Sequence, residues 1–87
     1  MKNGSLVFGN VIQRLRLAKG LSQETLAECS GVHRPYISQL ERGLKSPTLV
    51  VLLKISKALE IRAGAVVDQM ERELDRLQAA RKILDQS

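Results

Sequence analysis

Between Gly31 and Gly43 the chain reads G-V-H-R-P-Y-I-S-Q-L-E-R-G, a short segment bounded by glycines. Wound as a helix, it places apolar Ile37 and Leu40 on one side and Arg34, Ser38, Gln39 and Arg42 on the other. Those outward groups are suited to hydrogen-bonding something outside the protein: a guanidinium presents a fork of donors, and an amide presents a donor beside an acceptor. Catalytic chemistry is harder to assemble. One His, His33, and one Cys, Cys29, make no Ser/His/Asp or Cys/His set, no metal-ligand set of useful spacing, and no Gly-rich phosphate loop is present. Neither a metal nor a cofactor is therefore expected, and the chain does not read as an enzyme.

The segments around this helix have to position it. A first helix is expected from about Phe8 to Lys19, with Phe8, Ile12 and Leu15 on one face and Gly20 ending it. Ser22 caps a second over Gln23 to Ser30, with Leu21 and Leu26 spaced as a hydrophobic staple. The third begins near Pro35, which the first turn of a helix tolerates because its N–H has no partner there. The bias of a residue before proline toward extended backbone makes Arg34 the expected N-cap and Pro35 the first helical residue. Thr48 caps a fourth helix, Leu49 to Leu59, whose inner face is expected to carry Leu49, Leu52, Leu53, Ser56 and Leu59. A fifth runs from about Ala63 to Gln86. The first few and last few residues are the only candidates for disorder.

Two short helices joined by a tight Gly-containing turn form a helix-turn-helix. Ala27 is small where the pair must approach, Gly31 permits a positive φ, and Val32, Ile37 and Leu40 face inward. The outward face of such a helix fits the major groove of B-DNA, about 12 Å wide. Charge agrees with a polyanionic partner: of the net +5, residues 1–47 hold seven Lys/Arg against three acids and residues 48–87 hold seven against six.

The chain resembles the Xre/Cro-type helix-turn-helix domains of phage repressors and bacterial regulators. The residues that carry the likeness are L-S-Q-E-T-L-A-E-C-S-G-V, R-P-Y-I-S-Q-L-E-R-G and S-P-T-L…L-L-K-I-S-K-A-L-E-I, within about Phe8 to Ile61. The resemblance implies an all-α, five-helix Cro/repressor-like domain with an extended C-terminal helix. It implies that Arg34, Pro35, Ser38 and Gln39 meet base edges, with Arg matched to guanine O6/N7, Gln to adenine N6/N7, and the proline ring able to meet only a thymine methyl. Gln23, His33, Tyr36, Arg42, Lys45 and Ser46 resemble the phosphate-contacting positions, although Tyr36 can equally pack its ring against the helix pair. Arg16 and Glu41 are implied as a structural ion pair. Where Pro35 and Leu44 stand the family usually has a hydrogen-bonding and a basic residue, so the target sequence is not transferable from a relative.

Val50 and Val51 stand where the family is commonly polar, and with Ile55 and Ala58 they make the fourth helix apolar nearly all round. Ala63, Val67, Met70, Leu74, Leu77, Arg81 and Leu84 follow steps of four and three along the fifth, a heptad seam broken by Arg81. The expectation is a DNA-binding domain over residues 1–61 and a dimerisation helix over 62–87. Val50, Val51, Val67, Met70, Leu74, Leu77 and Leu84 would form the homodimer interface; the competing arrangement folds the tail back on its own domain. The function expected is a sequence-specific transcriptional regulator, a repressor on a palindromic operator. The alternative is a helical protein-interaction module. Phage repressors, restriction-modification controllers and antitoxins all have this form, so a protein partner such as a toxin stands beside DNA as an expectation. Cys29 reads as a redox sensor, an intermolecular link or a spare helix residue. No run approaches the ~20 apolar residues that span a bilayer, the start has too short an apolar core for a signal peptide, and the expected location is the cytoplasm.

Overall fold

Local signals at the helix ends set the architecture. The Ser22 hydroxyl accepts a hydrogen bond from the Thr25 amide at 3.0 Å and the Thr48 hydroxyl one from Val51 at 3.1 Å, so each caps the helix that follows. At the other ends the chain reverses through Gly20, Gly31 and Gly43, all at positive φ. After α1 the Leu21 amide returns to the Arg16 carbonyl and the Gly20 amide to Leu17, the paired bonds that close a helix in the left-handed conformation. The computed structural model describes residues 3–86. The helices are α1 (Gly4–Ala18), α2 (Gln23–Ser30), α3 (Arg34–Glu41), α4 (Leu49–Ala58) and α5 (Ala63–Gln86), and no strand occurs among the described residues. Met1, Lys2 and Ser87, on which part of the expected terminal disorder falls, lie outside them.

The core is a single cluster of Val7, Phe8, Val11, Ile12, Leu26, Val32, Ile37, Leu40, Ile55, Leu59 and Val66. Each helix contributes to it, so the helix pair is held by α1 and α4 from behind. Gly9 lets α1 and α3 approach closely: a Cβ there would lie 2.3 Å from the Leu40 carbonyl oxygen and 2.7 Å from that of Glu41.

Three expectations about the elements need correction. α1 starts at Gly4 rather than Phe8, because Val7 is buried with Phe8, Val11 and Ile12 and tertiary contact overrides the low helix propensity of Gly4 and Gly9. The inner face of α4 is rotated from the one expected: Leu49 and Leu53 are 79% and 59% exposed, whereas Ile55 is fully buried beside Ser56 and Leu59. A helix apolar on nearly all sides offers no contrast from which to read its buried stripe. At α3 the N-cap is His33, with extended ψ of 132°, and Arg34 and Pro35 are the first and second helical residues. The first intrahelical bond runs from the Ile37 amide to the His33 carbonyl at 3.1 Å, so the proline removes no hydrogen bond in either position.

Candidate nucleic-acid interface

The interface begins with a buried charge pair that never meets a partner molecule. Arg16 donates from Nε to Glu41 Oε2 at 2.7 Å and from Nη2 to Oε1 at 2.9 Å, while Nη1 donates to the Leu21 carbonyl at 2.8 Å. Both side chains are buried, and the hydrogen bonds that Arg16 donates to Glu41 raise its guanidinium above the ordinary value against the opposing effect of burial. This fork ties α1 to the end of α3 and to the turn before α2. Breaking a buried pair by removing one partner costs about 3–5 kcal/mol. Glu41 is thus buried with Ile37 and Leu40 rather than exposed on α3.

Gln23 joins the same network. Its Nε2 donates to Glu41 Oε1 at 3.1 Å, fixing the amide at the start of α2 with one N–H left for a further acceptor. Across the turn, Arg34 Nε lies 2.9 Å from Glu24 Oε1, an ion pair open to solvent on both sides. His33, Arg34 and Pro35 are exposed at the tip of α3, with Ser38 and Gln39 half-buried one turn further on. Arg42 is exposed at the far end, its Nε 3.4 Å from the Ser38 carbonyl.

The loop from Arg42 to Thr48 closes the surface. Tyr36 is half-buried, its hydroxyl donates to the Ser46 carbonyl at 3.3 Å, and Lys45 Nζ lies 5.8 Å from the centre of its ring. The ring therefore braces this loop against α3. The Ser46 hydroxyl is hydrogen-bonded to that of Ser5 at the start of α1. Sequence reasoning passed over Ser5, Gly9 and Glu24, none of which stands at a spacing that announces its contact. The structure brings Tyr36, Lys45 and Ser46 into contact, and aligns Arg34, Ser38, Gln39 and Arg42 along one helix.

The profile of the helix-turn-helix family matches residues 12–65. The chain belongs to that family, in its Xre/Cro-like branch. Other helix-turn-helix proteins agree in sequence and in shape. The control protein C.BamHI of Bacillus amyloliquefaciens is 42% identical over 67 residues, 76% of this chain and 83% of that protein. The restriction-modification controller protein C.AhdI from Aeromonas hydrophila superposes with a TM-score of 0.70 at 45% identity, over 71% of this chain and 94% of its own. The clp gene regulator ClgR from Corynebacterium glutamicum reaches 0.82 at 30% identity, over 95% of this chain and 87% of its own.

The residues expected at a dimer interface divide into two groups on this helix-turn-helix fold. Val50 is 60% exposed on α4, and Val67 and Leu84 are exposed on α5. Val51, Met70, Leu74 and Leu77 are half-buried and packed against the chain's own core, beside fully buried Val66. α5 therefore folds back on α1 and α4 as far as Leu77, and its last turns carry no residue of the core. Cys29 is a free, exposed residue of α2. Among the described residues no His/Cys/Asp/Glu group is arranged to hold a metal ion, and no helix is long and apolar enough to cross a membrane.

Proposed function

We propose that this chain is a sequence-specific DNA-binding transcriptional regulator that occupies a palindromic operator as a homodimer in the cytoplasm and represses by occlusion. The carrying observation is α3 itself: its inner face is locked by Ile37, Leu40 and Glu41, while Arg34 is exposed at its start and Ser38 and Gln39 are half-buried one turn further on. Arg34 and Gln39 would read base edges in the major groove, with Ser38 between them and the Pro35 ring against a thymine methyl. Gln23 and Tyr36, His33 at the tip, and Arg42, Lys45 and Ser46 at the far end would grip phosphates on either side and so fix register.

One recognition helix covers few base pairs, and a two-fold dimer places two of them about 34–36 Å apart. The exposed row Leu49, Val50 and Leu53 on α4 supports such an assembly, because a contiguous apolar strip rimmed by polar residues marks an interaction surface. Val67 and Leu84, exposed on α5, would meet the partner further out. The likeness to restriction-modification controller proteins favours that setting over a toxin partner.

Selection of bound duplexes from random DNA tests the reading. A palindromic motif with half-sites one helical turn apart, or a multiple of it, is the expected recovery. Absence of any enriched motif at moderate salt would overturn the proposal and leave a helical protein-interaction module in its place.

A further inference from the structure

The residue that faces Arg34 across the turn is an acid, on a surface whose other outward groups suit a polyanion. Glu24 is the second residue of α2, and Arg34 is the first of α3. Their ion pair runs from Arg34 Nε to Glu24 Oε1 at 2.9 Å, with side chains 53% and 62% exposed. The geometry points to Glu24 as a specificity-determining residue that holds the Arg34 guanidinium in the orientation for base reading and at the same time weakens binding to DNA of any other sequence. This rests on the DNA-reading role of α3 proposed above.

The choice of nitrogen carries the first half of the argument. A guanidinium has several N–H donors in a rigid fork, and two of them on one edge match guanine O6 and N7. Glu24 lies nearest Nε, which leaves the terminal Nη1/Nη2 edge for a second, outward pair. An arginine already held on one edge has less side-chain freedom to lose when the other edge docks. A lone flexible arginine would instead find a phosphate as easily as a base.

Charge carries the second half. A carboxylate beside the reading edge is repelled by phosphates on every duplex, whatever its sequence. On the correct site that repulsion is offset by the guanine contact of the arginine it holds; on other sites it is not. Discrimination is a difference of affinities, so a repulsive element widens it as surely as an attractive one. A simpler role exists, since an acid in the first turn also suits the positive end of the α2 dipole. That role acts on helix stability and leaves the ratio between two DNA sequences untouched, which makes it separable.

The experiment measures the full chain against two duplexes, the operator recovered by selection and a scrambled duplex of the same composition, at one salt concentration. With Glu24→Gln, affinity for the scrambled duplex is expected to rise about threefold while affinity for the operator falls, lowering the ratio by about tenfold. Glu24→Asp, which keeps the charge on a shorter arm, is expected to recover part of the ratio. In an Arg34→Ala background, Glu24→Gln is expected to shift both duplexes by the same factor. Thermal melting of every variant identifies loss of fold, and the Glu24→Asp result then stands for a Glu24→Gln chain that melts early. A ratio unchanged or raised by Glu24→Gln overturns the inference while leaving the DNA-reading role in place. If the unsubstituted chain shows no preference for the selected duplex, the DNA-reading role itself fails.

Discussion

Arg34 and Gln23 both stand first in their helices, yet they are held by different things, and their substitutions should part accordingly. Gln23 is bonded to the buried Glu41 carboxylate, so it is part of the frame as well as of the surface. Arg34 is ion-paired with exposed Glu24. Arg34→Ala is expected to relax preference at one base pair per half-site, a loss of about 1–3 kcal/mol of discrimination, with the fold unaffected. Gln23→Ala should weaken operator and random DNA alike and lower stability by about 1–2 kcal/mol, because the buried carboxylate loses a hydrogen bond. Parallel titrations on the two DNAs, with urea unfolding of each variant, check both statements. Equal losses on both DNAs from Arg34→Ala would contradict base reading. At this scale the sequence showed which residues share the outward face, since a helix period and its buried Ile37 and Leu40 dictate that. It did not show the Glu24 contact, because an ion pair across a turn has no fixed spacing. It also misplaced the N-cap by one residue, since the conformational bias before proline is a preference and Arg34 takes helical backbone here.

At the scale of the elements, α2 and α5 were legible to the residue, and both have plain causes. Ser22 and Gly31 bracket α2 with a side-chain cap and a left-handed residue, and the capping bond and positive φ are there. The start of α1 and the face of α4 were not legible, for opposite reasons: glycines hid the first, and an excess of apolar residues hid the second. Gly9 concentrates the point. In a helix interior glycine is ordinarily about 1 kcal/mol worse than alanine, so Gly9→Ala should stabilise α1 taken alone. Here the added methyl would collide with the carbonyl oxygens of Leu40 and Glu41, backbone atoms that cannot rotate away. α1 would have to move off α3, pulling Arg16 from Glu41. We expect Gly9→Ala to destabilise by about 3 kcal/mol, the upper range for overpacking, and to weaken DNA binding through the displaced α3. Urea unfolding reads the first and operator titration the second. A variant as stable as the parent would mean that the two helices are not in the contact described.

At the scale of the whole molecule, the question is how much of α5 is available to a second copy. The helix has 24 residues, about 36 Å in length, and its core-packed residues end at Leu77. Deleting everything after Ile61 would therefore be a poor test of dimerisation, since it removes fully buried Val66 along with half-buried Met70 and Leu74. The exposed α4 strip offers a cleaner one. Leu53 contributes nothing to the core and Val50 lies beside it, so Val50→Asp with Leu53→Asp changes the surface while sparing the interior. Two carboxylates there would meet their counterparts across a two-fold axis and be desolvated without partners, which an apolar interface does not tolerate. The double variant is expected to melt near the parent temperature, to sediment as a monomer, and to lose at least ~100-fold in operator affinity. That loss follows from the dimer's two half-sites acting as one linked ligand, an advantage of about 10²–10⁴ that vanishes once the helices are separated. Its affinity for a single half-site should be unchanged, because α3 and its flanking loop are untouched. A double variant that still sediments as a dimer would move the interface away from α4 and onto the outer half of α5.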